Sequence, residues 1–184
     1  GKIPKELILK LFDNQEAITG QGSHPLQLLE GMSEEIKDKH KSNIQSAFYE
    51  TSSDVPDPSA LNPDDRNLMV FDDLQLEKQS EPERYYIRGR HSNVDCFYLA
   101  QNYFKLPRQT IRENANFICL FPQDKKNVDH IYRDHASHDM SIYEFRKLCK
   151  MVWNEPHSFL VIDLSSDKNK GKYRKKLDTF YIPI

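Results

Sequence analysis

Apolar and polar residues follow two different rhythms along this chain, and the change falls near residue 66. Beyond it, short apolar runs alternate with helical periods. Leu68–Phe71 (LMVF) is a continuous apolar run, which predicts a strand buried on both faces. Val94–Ala100 (VDCFYLA), Asn116–Phe121 (NFICLF) and Ser158–Leu164 (SFLVIDL) predict three more strands. Thr179–Ile184 (TFYIPI) predicts a closing strand whose Pro183 suits a sheet edge. Between them, Glu83–His91 (starting just after Pro82), Asp124–Ala136 and Ser141–Trp153 have helical spacing, and Ser141 with Glu144 makes a capping box. Strands alternating with helices imply βαβ crossovers and a mainly parallel sheet in an α/β domain.

Ahead of residue 66 the pattern is thin. Glu6–Phe12 reads as a short amphipathic helix, and 23–46 carries Leu26, Leu29, Met32, Ile36 and Ile44 at loose helical spacing. Residues 51–66 hold three prolines and four aspartates, an extended loop. The chain therefore divides into a weakly folding N-terminal part, 1–66, and a regular part, 67–184.

Composition narrows the function classes. At 184 residues, 38% apolar and 29% charged, the chain supports one domain with a sizeable core. Mean hydropathy is −0.76, and no stretch approaches the roughly 20 apolar residues of a membrane helix. Twenty-six Lys and Arg against 28 Asp and Glu leave a net charge of −2, so any basic footprint must be local. Three cysteines, odd in number and never in a CxxC pair, exclude a disulfide framework or zinc knuckle and point to a reducing intracellular compartment.

The sharpest chemical feature is the end of the first strand, Asp72–Asp73. In a parallel sheet the carboxyl ends of the strands open on one edge, where ligands bind. There one acid can hold a magnesium ion while the other orients or deprotonates an attacking water. The next strand ends in Gln101–Asn102, amides that can touch a phosphate or a water without adding charge. Six cations fall in the nine residues 168–176, and Lys172, Arg174, Lys175 and Lys176 among them are candidates for DNA phosphates. The bland alternative for this run is a solvated loop. His130, His135 and His138 with Asp134 and Asp139 form a possible metal cluster, at a spacing that does not place them on one helical face.

Taken in order, Arg66–Asp73 (RNLMVFDD), Arg88–Val94 (RGRHSNV), Phe97–Asn102 (FYLAQN), Ile111–Asn116 (IRENAN) and Ile118–Phe121 resemble the FtsK–HerA superfamily, within it the genome-packaging ATPases of large DNA viruses and of Polinton/Maverick virus-like transposons. The later Phe159–Leu164 and Ile182–Pro183 suit the last strands of that family. The resemblance implies a three-layer αβα fold of the P-loop NTPase (RecA-like) type with a mainly parallel sheet, incomplete at the N-terminus. It implies ATP and Mg2+ as cofactors, with Asp72 on the magnesium side, Asp73 as catalytic acid and Gln101 as polar sensor with Asn102 beside it. Arg90 or Arg88 would be an arginine finger reaching a neighbouring subunit, and Arg112 is a further candidate. The implied partners are double-stranded DNA, copies of the chain in a ring, and capsid or portal proteins, in a virion, host nucleus or cytoplasm.

One departure stands out. A phosphate loop needs GxxxxGK[ST], whose backbone amides wrap the phosphates while the lysine reaches the terminal ones, and the sequence contains none. Gly1–Lys2 is followed by Ile3 where Ser or Thr should stand; Lys2 occupies the place of the loop's lysine, about 70 residues ahead of Asp72. The expectation is a fragment or decayed copy cut in or just after that loop, with feeble ATP binding. Two other classes stay open: a non-catalytic DNA-binding or ring-assembly module, and a metal-dependent nuclease on Asp72 and Asp73.

Overall fold

Short apolar runs become strands here because each has a partner strand on one side and a helix to bury against. The computed structural model describes residues 47, 49, 51 and 54–183; the expected helix at 6–12, the loose helix at 23–46 and Lys2 lie outside them. The chain divides after Asp54, and the unit Val55–Ile184 holds every strand and helix among the described residues. That division precedes residue 66 because Val55, Pro58 and Leu61 belong with the first sheet and its helix. Val55 and Leu61 pack on the first apolar cluster and Pro58 is buried. Tyr85 Oη also donates to the Pro56 carbonyl at 2.9 Å.

The described residues make a mixed α/β fold with two sheets. Strand β1 (Asn67–Asp72) runs parallel to β2 (Val94–Leu99), with Asn67 opposite Val94 and Asp72 opposite Leu99. Helix α1 (Ser80–Arg88) and a 3-10 turn (Gly89–Ser92) join them. Helix α1 begins two residues before Pro82 rather than after it, because a proline in the first turn gives up an N–H that the helix leaves unpaired anyway. Phe71, Tyr85 and Val94 form the cluster between this sheet and α1, with Phe71 and Tyr85 in edge contact at 5.6 Å. The expectation that β1 is buried on both faces fails at Leu68, which is 38% exposed.

The second sheet has the order β3 (Phe117–Leu120), β4 (Leu160–Asp163), β5 (Tyr173–Lys175), β6 (Thr179–Tyr181), all antiparallel. The expected mainly parallel arrangement is therefore confined to β1 and β2. For β4, β5 and β6 the reason is connection length, whereas β3 and β4 are antiparallel across the long helical segment 121–159. A parallel crossover needs about a dozen residues or more, whereas residues 164–172 and 176–178 are all that separate β4 from β5 and β5 from β6. Strand β5 falls inside the basic run that the sequence reads as a loop, which hides the short connections. The last strand ends at Tyr181, leaving Pro183 beyond it, and β6 lies at the sheet edge as expected. Gly171, at φ +90°, makes the turn into β5, and the Phe180 ring lies where any side chain there would stand.

Helices α2 (Lys125–Ile131) and α3 (Ile142–Val152) cover this sheet, with a π-helical turn (Tyr132–Ala136) between them. The capping box is present: Ser141 Oγ accepts from Glu144 N, and Glu144 returns a carboxylate oxygen to Ser141 N at 2.8 Å. Phe145, Leu148, Cys149 and Val152 are the inward stripe of α3, and Leu120, Leu160, Ile162 and Tyr173 meet them from the strands.

Candidate functional site

The acid–amide edge is built by strand register. Since Asp72 pairs with Leu99, the residues just after each strand emerge side by side at the carboxyl edge of the parallel pair. Phe71 points into the core, so Asp72, one residue on, faces the other way. Asp73 is left-handed, φ 49°, a conformation that Asp tolerates better than most residues and that often marks functional sites. Its N–H donates to Leu99 O at 3.0 Å, and its Oδ2 accepts from Gln101 Nε2 at 3.0 Å. The loop after Asp73 is tied down by Gln79, which donates to the Leu74 carbonyl and accepts from Tyr98 Oη at 2.9 Å. Asp73 and Gln101, which the sequence places at the ends of neighbouring strands, thus touch. Asn102 does something else: its Oδ1 accepts from Phe104 N at 3.0 Å and caps the turn Tyr103–Lys105.

Arg88 and Arg90 lie at the opposite edge, at the end of α1 and in the turn that leads into β2. A six-residue strand spans about 20 Å, so neither shares an edge with Asp73. Arg88 instead lines a cleft with Asp57, Pro58, Ser59, His91 and Ser92. Arg112 is committed elsewhere: 9% exposed, it donates to Asp134 Oδ2 at 2.7 Å and lies 5.0 Å over the Tyr103 ring.

The basic run is largely neutralised. Lys172 Nζ meets Asp139 and the His135 carbonyl, Arg174 meets Asp163, and Lys175 meets Glu155. Lys176 takes a left-handed turn, and its N–H donates to Phe159 O at 2.9 Å. Three of the four cations proposed for DNA thus hold β5 to its surroundings. The histidine–aspartate cluster likewise dissolves into pairings, and no metal-holding group of three or more His, Cys, Asp or Glu occurs among the described residues. Cysteine chemistry is also disfavoured: burial pushes the Cys96, Cys119 and Cys149 thiols up to about 12.

Sequence reading missed a polar network below the 101–105 turn. Tyr103 Oη donates to Asp134 Oδ2 at 2.9 Å and lies 2.6 Å from His135 Nε2. A hydroxyl has one hydrogen, so Nε2 must be the donor to its oxygen, which assigns the Nε2–H tautomer to His135. Its members are up to 32 residues apart, and no local pattern announces them. Burial, followed by the Lys172 and Arg112 cations, outweighs Asp134 and holds the pKa of His135 below its usual 6.5. A depressed histidine contributes stability that is present above the unfolded pKa and is lost as pH falls through the folded one. The thermal midpoint is therefore expected to fall between pH 7.5 and 5.5, and His135→Gln to flatten that slope; an equal slope in the variant counts against the assignment.

Comparisons with protein families, with curated proteins and with solved structures find no match to this chain. Among the described residues no helix is long and apolar enough to cross a membrane. What stands on the chain's own residues is an acid and an amide, joined by a hydrogen bond, at the carboxyl edge of two parallel strands.

Proposed function

We propose that this chain is a subunit of an ATP-driven DNA translocation or packaging motor, with the edge of β1 and β2 as its hydrolytic side. The observation that supports it best is the Gln101–Asp73 hydrogen bond, which joins the acidic and the amide strand ends that the sequence sets one βαβ unit apart. In this reading the fold is of the three-layer RecA-like type, and β1 and β2 are neighbours in its sheet. Asp72 takes the magnesium side. Asp73 orients and deprotonates water, and Gln101 fixes the direction of that carboxylate. Arg88 or Arg90, a strand's length away from that edge, would serve a neighbouring subunit in a ring around double-stranded DNA. Capsid or portal proteins are the further partners, inside a cell or virion.

The residues fit ATP and Mg2+ only in part. The acids and the amide suit a hydrated magnesium ion, but the sequence has no GxxxxGK[ST] to cradle phosphates. A second reading is a non-catalytic DNA-binding or ring-assembly module, favoured by Arg88 and Arg90 standing a strand's length from Asp73 rather than beside it. Phosphate release by the chain with millimolar Mg-ATP separates the two. The motor reading expects slow, magnesium-dependent release that Asp73→Asn lowers by roughly 10²- to 10⁴-fold, the usual weight of a general base, and that Gln101→Ala also lowers. Release indifferent to Asp73→Asn overturns the site, and no magnesium-dependent release selects the non-catalytic module.

A further inference from the structure

A different basic surface lies on α2 and the turn after it. Lys126, His130 and Arg133 are spaced by four and three residues, which sets them on one face of the helix. The acids of the same segment are occupied elsewhere: Asp129 binds Arg146 at 2.6 Å, Asp134 binds Arg112, and Asp124 caps Asn127 N at 2.8 Å. Lys126 and the nearby Lys105 are exposed and have no salt-bridge partner among the described residues. This is the reverse of the 168–176 run, where Lys170, Lys172, Arg174 and Lys175 are paired with acids.

An aromatic ring stands beside these cations. Phe104 is 52% exposed, and its ring lies on that of His130 with centroids 4.4 Å apart and planes inclined by 31°. Arg133 Nη2 bonds His130 Nδ1 at 2.9 Å, and its Nε donates to Asp129 O. Guanidinium, imidazole and phenyl are thus braced in series. The turn that presents Phe104 is fixed at both neighbours, by Asn102 Oδ1 on its N–H and by the Tyr103 hydroxyl on Asp134. A flat ring that is held by backbone and imidazole, and not sunk in the core, is a stacking platform already in its bound geometry.

We propose that Phe104, Lys105, Lys126 and Arg133 bind single-stranded nucleic acid, with an unpaired base on Phe104 and phosphates on the three cations. Lys126 and Arg133 are about 10 Å apart along the helix, at 1.5 Å per residue, a span that takes more than one phosphate. A duplex keeps its bases stacked on one another and out of reach of Phe104, so an unpaired strand is the favoured occupant. This surface does not depend on nucleotide hydrolysis, and its test is independent of the motor reading.

The test is fluorescence anisotropy with labelled dT12 and with a 12-base-pair duplex, from 50 to 200 mM salt. The expected result is a preference for dT12. Phe104→Ala should weaken dT12 binding by roughly 5- to 150-fold, the range of one base–aromatic stack, and leave the salt slope unchanged. Lys126→Ala with Arg133→Ala should flatten the log–log salt slope by about 1.4, at about 0.7 per phosphate on a single strand. Phe104→Leu, which keeps apolar bulk and loses the flat ring, should bind like Phe104→Ala while melting like the parent chain. Failure to bind dT12, duplex binding that is tighter, or dT12 affinity untouched by both Phe104 variants overturns the proposal.

Discussion

Asp163→Ala is expected to destabilise the protein by about 3 kcal/mol, measured as the loss in unfolding free energy by urea titration. Asp163 ends β4 at 4% exposure. It accepts from Ser165 N at 3.0 Å, Ser165 Oγ at 2.6 Å and Ser166 Oγ at 3.0 Å, and it faces the Arg174 guanidinium. Removing one member of a buried ion pair costs about 3–5 kcal/mol, because the survivor keeps an uncompensated charge. The lower end applies because Arg174 keeps 21% of its side chain in water. Asp163→Asn preserves the shape and some of the accepting capacity, so it should lose less. The pH profile gives a second check. Burial raises the pKa of Asp163, but the Ser165 and Ser166 hydrogen bonds and Arg174 outweigh it and hold it below 3.8. Its contribution is complete above that value and disappears as pH falls through the folded pKa, so Asp163→Asn should remove part of the acid sensitivity below pH 4. An Asp163→Ala chain as stable as its parent would mean that Arg174 re-solvates at no penalty.

Phe145→Ala should cost about 3–5 kcal/mol, the usual range for a fully buried aromatic. Phe145 is 0% exposed on α3 and packs with the Tyr132 ring at 5.8 Å, in the cluster that joins α3 to β4 and β5. Around it stand Leu148, Val152, Leu160 and Ile162, all within 2% exposure. These belong to α3 itself and to β4, so the walls cannot collapse together into the space left behind. Tyr143, on the same helix but 75% exposed, supplies the internal control, since surface substitutions usually stay within about 0.5 kcal/mol. Equal losses at the two positions would show that α3 does not dock on the sheet as described.

Much of the local structure was legible because it is locally caused. Ser141 and Glu144 are three residues apart, and their reciprocal capping needs nothing from the rest of the chain. Four further elements, β1, β2, β3 and β4, follow from apolar runs bounded by polar ones. Strand β5 was not legible. Tyr173, Arg174 and Lys175 look like part of a charged loop, yet Tyr173 is 0% exposed and the two cations are drawn into pairs. The candidate site divides the same way. Strand ends at Asp73 and Gln101 could be read, whereas Asn102 as a turn cap and Arg112 as the partner of Asp134 could not.

The chain's own order of residues thus decides where strands and helices form, and which of them end in an acid or an amide. Tertiary structure alone decides that Asp73 meets Gln101 across 28 positions, that β3 to β6 run antiparallel, and that Lys172 and Lys175 find acids 33 and 20 residues away. The physical reason is range. Backbone periodicity and capping are set within a turn or two of chain, while the charge of a side chain is cancelled or left standing by whatever folding brings beside it.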